Sequence, residues 1–259
     1  MSSSIVSVER GDGIALVRFD RGGSRNAFNQ ELVLALTDVA RGFRDDYDTR
    51  AVVLTGAADS FAAGIDLKDP ARWAIDDLPF EQQRAIAFRG GELCRAWEQV
   101  PQPTIAAIEG MAVGAGVALA ISCDWRVIAD DAFLYVPEVK VGLNLSWNAV
   151  PRLVSLVGPA RAKRIVILCE RMQAGQALEW GLVEDVAPRG GTVERALEMA
   201  RIAAGMPATV VRMSKESINA TASALHHVAS FMDADQAALL RTSSDAQEAR
   251  RRFIKGELD

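Results

Sequence analysis

The chain has 259 residues, 49% of them hydrophobic and 24% charged, with a formal net charge of −5 and a pI of about 5.3. This composition supplies a sizeable core and excludes disorder, while scattered basic residues on an acidic chain exclude a non-specific nucleic-acid binder, which needs a cationic face. No run is long enough to span a bilayer, and the opening MSSSIVSVERGDG lacks the basic and apolar segments of a secretory signal.

The first two β-rich runs, Ile5–Glu9 and Ile14–Phe19, are joined by Gly11-Asp12-Gly13, the turn chemistry of a hairpin. Leu32, Leu36, Val39 and Phe43 then recur at helical spacing, with Asn29 placed to cap and Glu31 in the first turn. Ala51–Thr55 and Thr104–Ile108 are short apolar runs that read as strands buried on both faces. The polar stretch between them, Asp69 to Gln99, carries the charged segment Asp76–Arg84 and the pair Gly90-Gly91, and reads as a surface excursion over a site.

Gly114–Cys123 is small and apolar all round, which suits a helix buried on every side. Strand-like Trp125–Ala129 and Ala132–Val136 follow. From Pro159 onward the pattern is helical: Ala160–Leu168, Ala174–Trp180, Thr192–Ala204, Ala208–Ile218 and Ala222–Arg241. A last segment starts at Ser244, with Gln247 three residues on as in a capping box. Strand-helix units fill the first two-thirds and helices the rest, so the fold class is α/β with a helical C-terminal region.

Cys94, Cys123 and Cys169 are odd in number, far apart and set among apolar residues, which predicts reduced core thiols and a cytoplasmic location. Several chemistries lack their signature. There is no G-x-x-x-x-G-K-[ST]; Gly114-Ala115-Gly116 has Leu119 where a dinucleotide fingerprint needs its third glycine; and no G-x-S-x-G occurs. The only histidines, His226 and His227, are neighbours about 100° apart on a helix, which suits neither a triad nor a zinc site. Acid–base work therefore falls to carboxylates, backbone and water, and no metal is expected.

Two glycine-bearing turns each follow a buried strand: Ser60–Lys68 (SFAAGIDLK) and Glu109–Gly116 (EGMAVGAG). Glycine lets backbone approach a ligand closely, and the second turn opens a helix whose free N–H groups face outward, so together they suit a developing anion.

These segments, with Asn26-Ala27-Phe28-Asn29 and Val53-Leu54-Thr55-Gly56 before them, stand in the order and spacing of the crotonase (enoyl-CoA hydratase/isomerase) family, which this sequence resembles. Ala120–Asp131, Val136-Pro137-Glu138 with Val141-Gly142-Leu143, and Ala174–Val186 extend the match over roughly residues 5 to 190. The resemblance implies a crotonase-like spiral of β-β-α turns over residues 1–190 and a C-terminal helical region over 191–259 that serves oligomerisation and site closure. It also implies a homotrimer or dimer of trimers, an acyl-CoA substrate, and no cofactor beyond the coenzyme A moiety. The family's two oxyanion-binding peptide N–H groups fall at Ile65 and Ala115. Arg25 and Lys68 match places where the family meets the CoA nucleotide, with Ala63, Ile65, Asp66 and Leu67 in the same CoA-binding stretch.

Family hydratases use two glutamates. The second position is Glu138; the first falls at Ala118, which has no ionisable group. A lone carboxylate among Val136, Val139 and Val141 should have a raised pKa, fitting it to move a proton near neutral pH. One base suffices to isomerise a 3-enoyl-CoA to a 2-enoyl-CoA. Hydration stays open, because Asn144, Ser146 or Asn148 can hold a water beside Trp147. Two further readings also stay open: other chemistry on the same scaffold, and an acyl-CoA-binding protein without catalysis. The basic run Arg250, Arg251, Arg252 and Lys255 offers further phosphate contacts, including across a subunit interface, but such a run on a terminal helix is usually solvated, and it is left out of the site.

Overall fold

A computed structural model describes residues 5–67, 69 and 78–257. Strands β1 (Val6–Gly11) and β2 (Ile14–Phe19) pair antiparallel through a turn in which Asp12 and Gly13 are both left-handed, the geometry that matches strand twist. Helix α1 (Gln30–Gly42) is capped as expected, with the Asn29 side chain accepting the Leu32 N–H at 2.9 Å.

Four more strands extend the sheet in parallel: β3 (Ala51–Thr55), β4 (Thr104–Ile108), β6 (Trp125–Ala129) and β9 (Asp185–Ala187), in the order β1-β2-β3-β4-β6-β9. A small second sheet holds β5 (Met111–Val113), β7 (Phe133–Tyr135) and β8 (Met172–Gln173). Helices α2 (Phe80–Glu98), α3 (Ala115–Ala120), α4 (Ala149–Ile167) and α5 (Ala174–Glu179) connect them, completing the spiral of β-β-α turns.

Alternation along the large sheet builds two cores, because successive side chains point to opposite faces. Val52, Leu54, Ala106 and Ile108 join the main core with α1, α2 and α3, whereas Ala51, Val53, Ile105 and Ala107 face helix α6 (Thr192–Ala204) through Ala196, Ala200 and Ala204. This two-sided burial is why β3 and β4 read as unbroken apolar runs, each fully buried Val, Leu or Ile contributing roughly 1.5–3 kcal/mol. Beyond α6 come α7 (Ala208–Ala222), α8 (His226–Ser230), α9 (Asp233–Leu240) and α10 (Ser244–Ile254).

Several details differ from the sequence reading. The stretch ending at Gln99 is more than a surface cover: α2 buries Leu93, Cys94 and Trp97 against the core, while residues 70–77 lie outside the described ones. Helix α4 begins at Ala149, well before Ala160, and passes a kink at Gly158 and Pro159. The single helix expected over Ala222–Arg241 breaks into α8 and α9. The capping box at Ser244 does not form: Ser243 is the N-cap, its hydroxyl pairs with Asp245, and the Gln247 amide donates to the Arg241 carbonyl at 2.6 Å. All three cysteines are buried and unbridged, and burial pushes the Cys94 and Cys123 thiols up to about 11 and about 12. No helix among the described residues is long and apolar enough to cross a membrane.

Candidate active site

The first glycine turn is held by the segment before α1. Ser24, Arg25 and Asn26 are all left-handed, which swings the buried Asn26 side chain inward to donate to the carbonyls of Phe19 (3.0 Å) and Phe61 (2.9 Å). The Arg25 carbonyl accepts the Ala63 N–H and the Ser60 hydroxyl, both at 3.1 Å. Phe28 donates to Gly64 and accepts from Asp66, so residues 60–66 are clamped from one side.

The second turn clamps them from the other. The Ala62 N–H donates to the Met111 carbonyl at 3.0 Å, and Val113 returns a bond to Ala62 at 2.9 Å. The backbones come so close that a Cβ at Gly116 would lie 2.8 Å from the Ala62 carbonyl oxygen. Among the N–H groups that the two turns leave unused are those of Ile65 and Ala115. That of Ile65 lies outside the bridge with Phe28, and that of Ala115 belongs to the first turn of α3, where no helical acceptor exists. Neither finds an acceptor among the described residues.

Both residues line a cavity of about 500 Å³, together with Arg25, Ala63, Asp66, Leu67, Ala118 and Glu138. Lys68 lies outside the described residues. Asp66 is ion-paired with Arg21 at 2.8 Å, a partner that sequence reasoning did not single out, and the Arg25 side chain is exposed. Ala118 presents only a methyl group to the cavity from a fully packed helix.

Glu138 follows β7 in a turn closed by Val141 and Leu143, whose N–H groups donate to its carbonyl at 3.1 and 2.8 Å. It is half-buried, but its Oε2 is sealed from solvent with no donor among the described residues. Burial raises the carboxyl from 4.5 to about 7. The group faces the cavity beside Gly114, whose N–H is anchored on the Tyr135 carbonyl at 2.8 Å.

The far side of the cavity was not foreseen. Left-handed Trp147 turns its ring onto Phe28, with centroids 5.6 Å apart, and covers Gly90, where a Cβ would overlap the indole. Asp233 on α9 accepts the Asn148 N–H at 3.1 Å, and burial raises its own carboxyl to about 6. Arg250 and Phe253 of α10 also line the cavity, so Arg250, left out of the site on sequence grounds, belongs to its wall. No local signal could have revealed these contacts, because they join segments about 90 residues apart. His226 lies near the Ser155 hydroxyl (3.0 Å) and His227 near Arg95 (3.3 Å), away from the cavity, and no group of three or more metal-ligating side chains assembles among the described residues.

Comparison with known proteins agrees with this architecture. The model of the enoyl-CoA hydratase/isomerase family matches residues 9–256. A probable enoyl-CoA hydratase of Mycobacterium tuberculosis is 33% identical over 222 residues, 85% of this chain and 82% of that protein. A short-chain-enoyl-CoA hydratase of Clostridium acetobutylicum is 30% identical over 220 residues, again 85% and 82%. Among solved structures, an enoyl-CoA hydratase from Bacillus anthracis superposes with a TM-score of 0.78 at 31% identity, covering 98% of this chain and 97% of that one. An enoyl-CoA hydratase from Mycobacterium avium subsp. paratuberculosis gives 0.84 at 26% identity, with 97% and 96% coverage. With the two stitched glycine turns, the lone glutamate and these likenesses together, the chain belongs to the enoyl-CoA hydratase/isomerase family.

Proposed function

We propose that this protein binds an acyl-CoA thioester and moves a proton at its C2 through an enolate, as an enoyl-CoA isomerase or hydratase. In this reading the thioester oxygen accepts the Ile65 and Ala115 N–H groups, and Glu138 takes and returns the proton. The observation that carries it is the buried Glu138 carboxyl, raised to about 7 and set against Gly114, one residue before a free backbone donor. Each hydrogen bond to the developing oxyanion is worth roughly 3–4 kcal/mol of transition-state stabilisation. Arg25 and Lys68 supply cations for the CoA phosphates, and Ala63, Asp66 and Leu67 line the same route. The reading needs no cofactor beyond coenzyme A itself.

Assembly as a homotrimer or dimer of trimers belongs to the same proposal, supported by exposed Val210, Met213 and Ile218 along α7. Sedimentation at the monomer mass would remove that part. Ala118 motivates a second reading, an acyl-CoA-binding protein without chemistry.

Incubating the purified protein with short 3-enoyl- and 2-enoyl-CoA in deuterated water separates these readings. Deuterium at C2, with or without a gain of water, is the expected result. Retained CoA-thioester binding with no exchange and no product across a broad acyl panel would replace the enzyme by the binding protein.

A further inference from the structure

Two glycines in the middle of α2 have no part in the chemistry above. Gly90 and Gly91 fall inside a 19-residue helix, where each weakens the helix relative to alanine. Both face the loop that carries Glu138. A Cβ on Gly90 would lie 2.0 Å from Cε2 of Trp147, and its three nearest atoms all belong to that indole; a Cβ on Gly91 would lie 3.3 Å from Asn148 Nδ2. The absence of two side chains lets Trp147 and Asn148 sit directly on the helix backbone.

The seat is fixed from several sides. Trp147 and Asn148 are both left-handed, with φ 62° and 57°, a conformation that residues other than glycine keep only where the surroundings hold it. Asn148 donates its Nδ2 to the Gly91 carbonyl at 3.0 Å and its N–H to Asp233 at 3.1 Å. The indole meets the Phe28 ring edge-on at 5.6 Å and 73°. Phe28 in turn bonds to Gly64 and Asp66, the neighbours of Ile65, at 2.7 and 2.9 Å. One ring therefore separates the indole from the segment that carries the proposed oxyanion donor.

The α2 residues that line the cavity, Gln83, Ile86, Ala87 and Gly90, stand at i, i+3, i+4 and i+7, a single stripe of the helix. Their side chains shorten along it until none is left at Gly90, and the space there goes to Trp147, which lines the cavity from the facing loop. One side chain thus sets the width of the cavity at that level. The whole cavity is about 500 Å³, the scale of a site for one drug-sized ligand, and it has to hold the thioester and the CoA arm as well as the acyl chain.

We infer that Trp147, seated on Gly90, is the specificity-determining residue for the acyl group and confines the protein to short chains of the butanoyl and crotonyl class. This rests on the acyl-CoA reading proposed above and names its substrate class. The indole fills the gap between Phe28 and α2 into which a longer chain would extend.

The test measures affinity for butanoyl-, octanoyl- and dodecanoyl-CoA by calorimetry, and deuterium exchange at C2 with kcat/KM on the matching 2-enoyl-CoAs. The unmodified chain should bind octanoyl-CoA no better than butanoyl-CoA. Trp147→Ala should raise the octanoyl-to-butanoyl affinity ratio by at least about 10-fold, each newly buried methylene contributing about 4-fold. The kcat/KM ratio should move at least as far, because one methylene in an apolar pocket shifts it by about 10–200-fold. Trp147→Phe should fall between the two. A merely structural role would weaken all chain lengths together, and that result, an unchanged ratio, or an unmodified chain that prefers octanoyl-CoA overturns the inference. Gly90→Ala leaves the loop sequence intact and presses on the indole from the helix side. It should weaken butanoyl-CoA itself by at least about 10-fold, and unchanged affinity would refute the seat. Chain-length dependence as stated without any exchange at C2 removes the enolate chemistry and leaves this inference standing. A chain that binds no CoA thioester at all takes down the acyl-CoA reading and this inference with it.

Discussion

A Cβ built on Gly114 would sit 2.5 Å from Oε1 of Glu138, so the glycine that opens α3 and the cavity glutamate occupy touching positions. Gly114 also has φ 51° and ψ −109°, a conformation that L side chains rarely adopt. Gly114→Ala should therefore push the carboxyl away and strain the turn at once. We expect kcat/KM on a 2-enoyl-CoA to fall by at least about 100-fold and stability by roughly 1–3 kcal/mol, read by steady-state kinetics and thermal melting. Unchanged kinetics would mean that the acid works from elsewhere.

Glu138→Gln keeps the shape of the side chain and removes its proton chemistry. Turnover should drop by roughly 10²–10⁴-fold while affinity for a CoA thioester stays within a few-fold, measured by calorimetry. Full turnover in the variant would remove Glu138 from its assigned role.

The raised carboxyl also sets two opposite pH trends. If the ionised form accepts the proton, activity should rise with pH through about 7. Stability runs the other way. A carboxyl at about 7 when folded and near 4.5 when unfolded takes up a proton on folding. Its contribution is therefore full below 4.5, is lost as pH rises to about 7, and is flat above. The loss amounts to about 3 kcal/mol at most. Glu138→Gln should accordingly be more stable than the unmodified chain at pH 8 and nearly equal to it at pH 4.5, as urea titrations would reveal. Equal stability at both pH values would show that the carboxyl is not desolvated.

Arg126 provides a test that bypasses the cavity. Its side chain is 1% exposed, pairs with Glu184 and donates to the carbonyls of Leu182 and Cys123, both at 2.9 Å. Truncation leaves those two carbonyls without the guanidinium and the Glu184 carboxylate with only the residue 126 backbone N–H, which donates to it at 2.6 Å. Arg126→Ala should cost about 3–5 kcal/mol in chemical denaturation; a loss below about 1 kcal/mol would mean that the pair is not sealed.

Much of this was legible from residue order alone, for identifiable reasons. The hairpin announced itself through Gly11-Asp12-Gly13, β3 and β4 through apolar runs buried on both faces, and α1 through its Asn29 cap. The residues named around the two glycine turns do line one cavity, Lys68 aside. What escaped was either too short or too distant. Strands β5, β8 and β9 span two or three residues, which shows no period. Helix α4 hid behind Pro151, Gly158 and Pro159, residues that ordinarily punctuate helices. The partnership of Asn144 and Asn148 with Asp233 depends on contacts across the sequence that no local pattern encodes.

That last partnership has a temporal side. The loop bearing Glu138 is fastened by Asp233 and by Ala246, whose carbonyl lies where a Cβ on Gly142 would fall. On a ribosome making about 5–20 residues per second, those fasteners emerge on the order of 5–20 s after the loop itself. The β-β-α spiral can thus form around an acid that is not yet held in place, and a nascent chain stays chemically silent until α9 and α10 leave the exit tunnel.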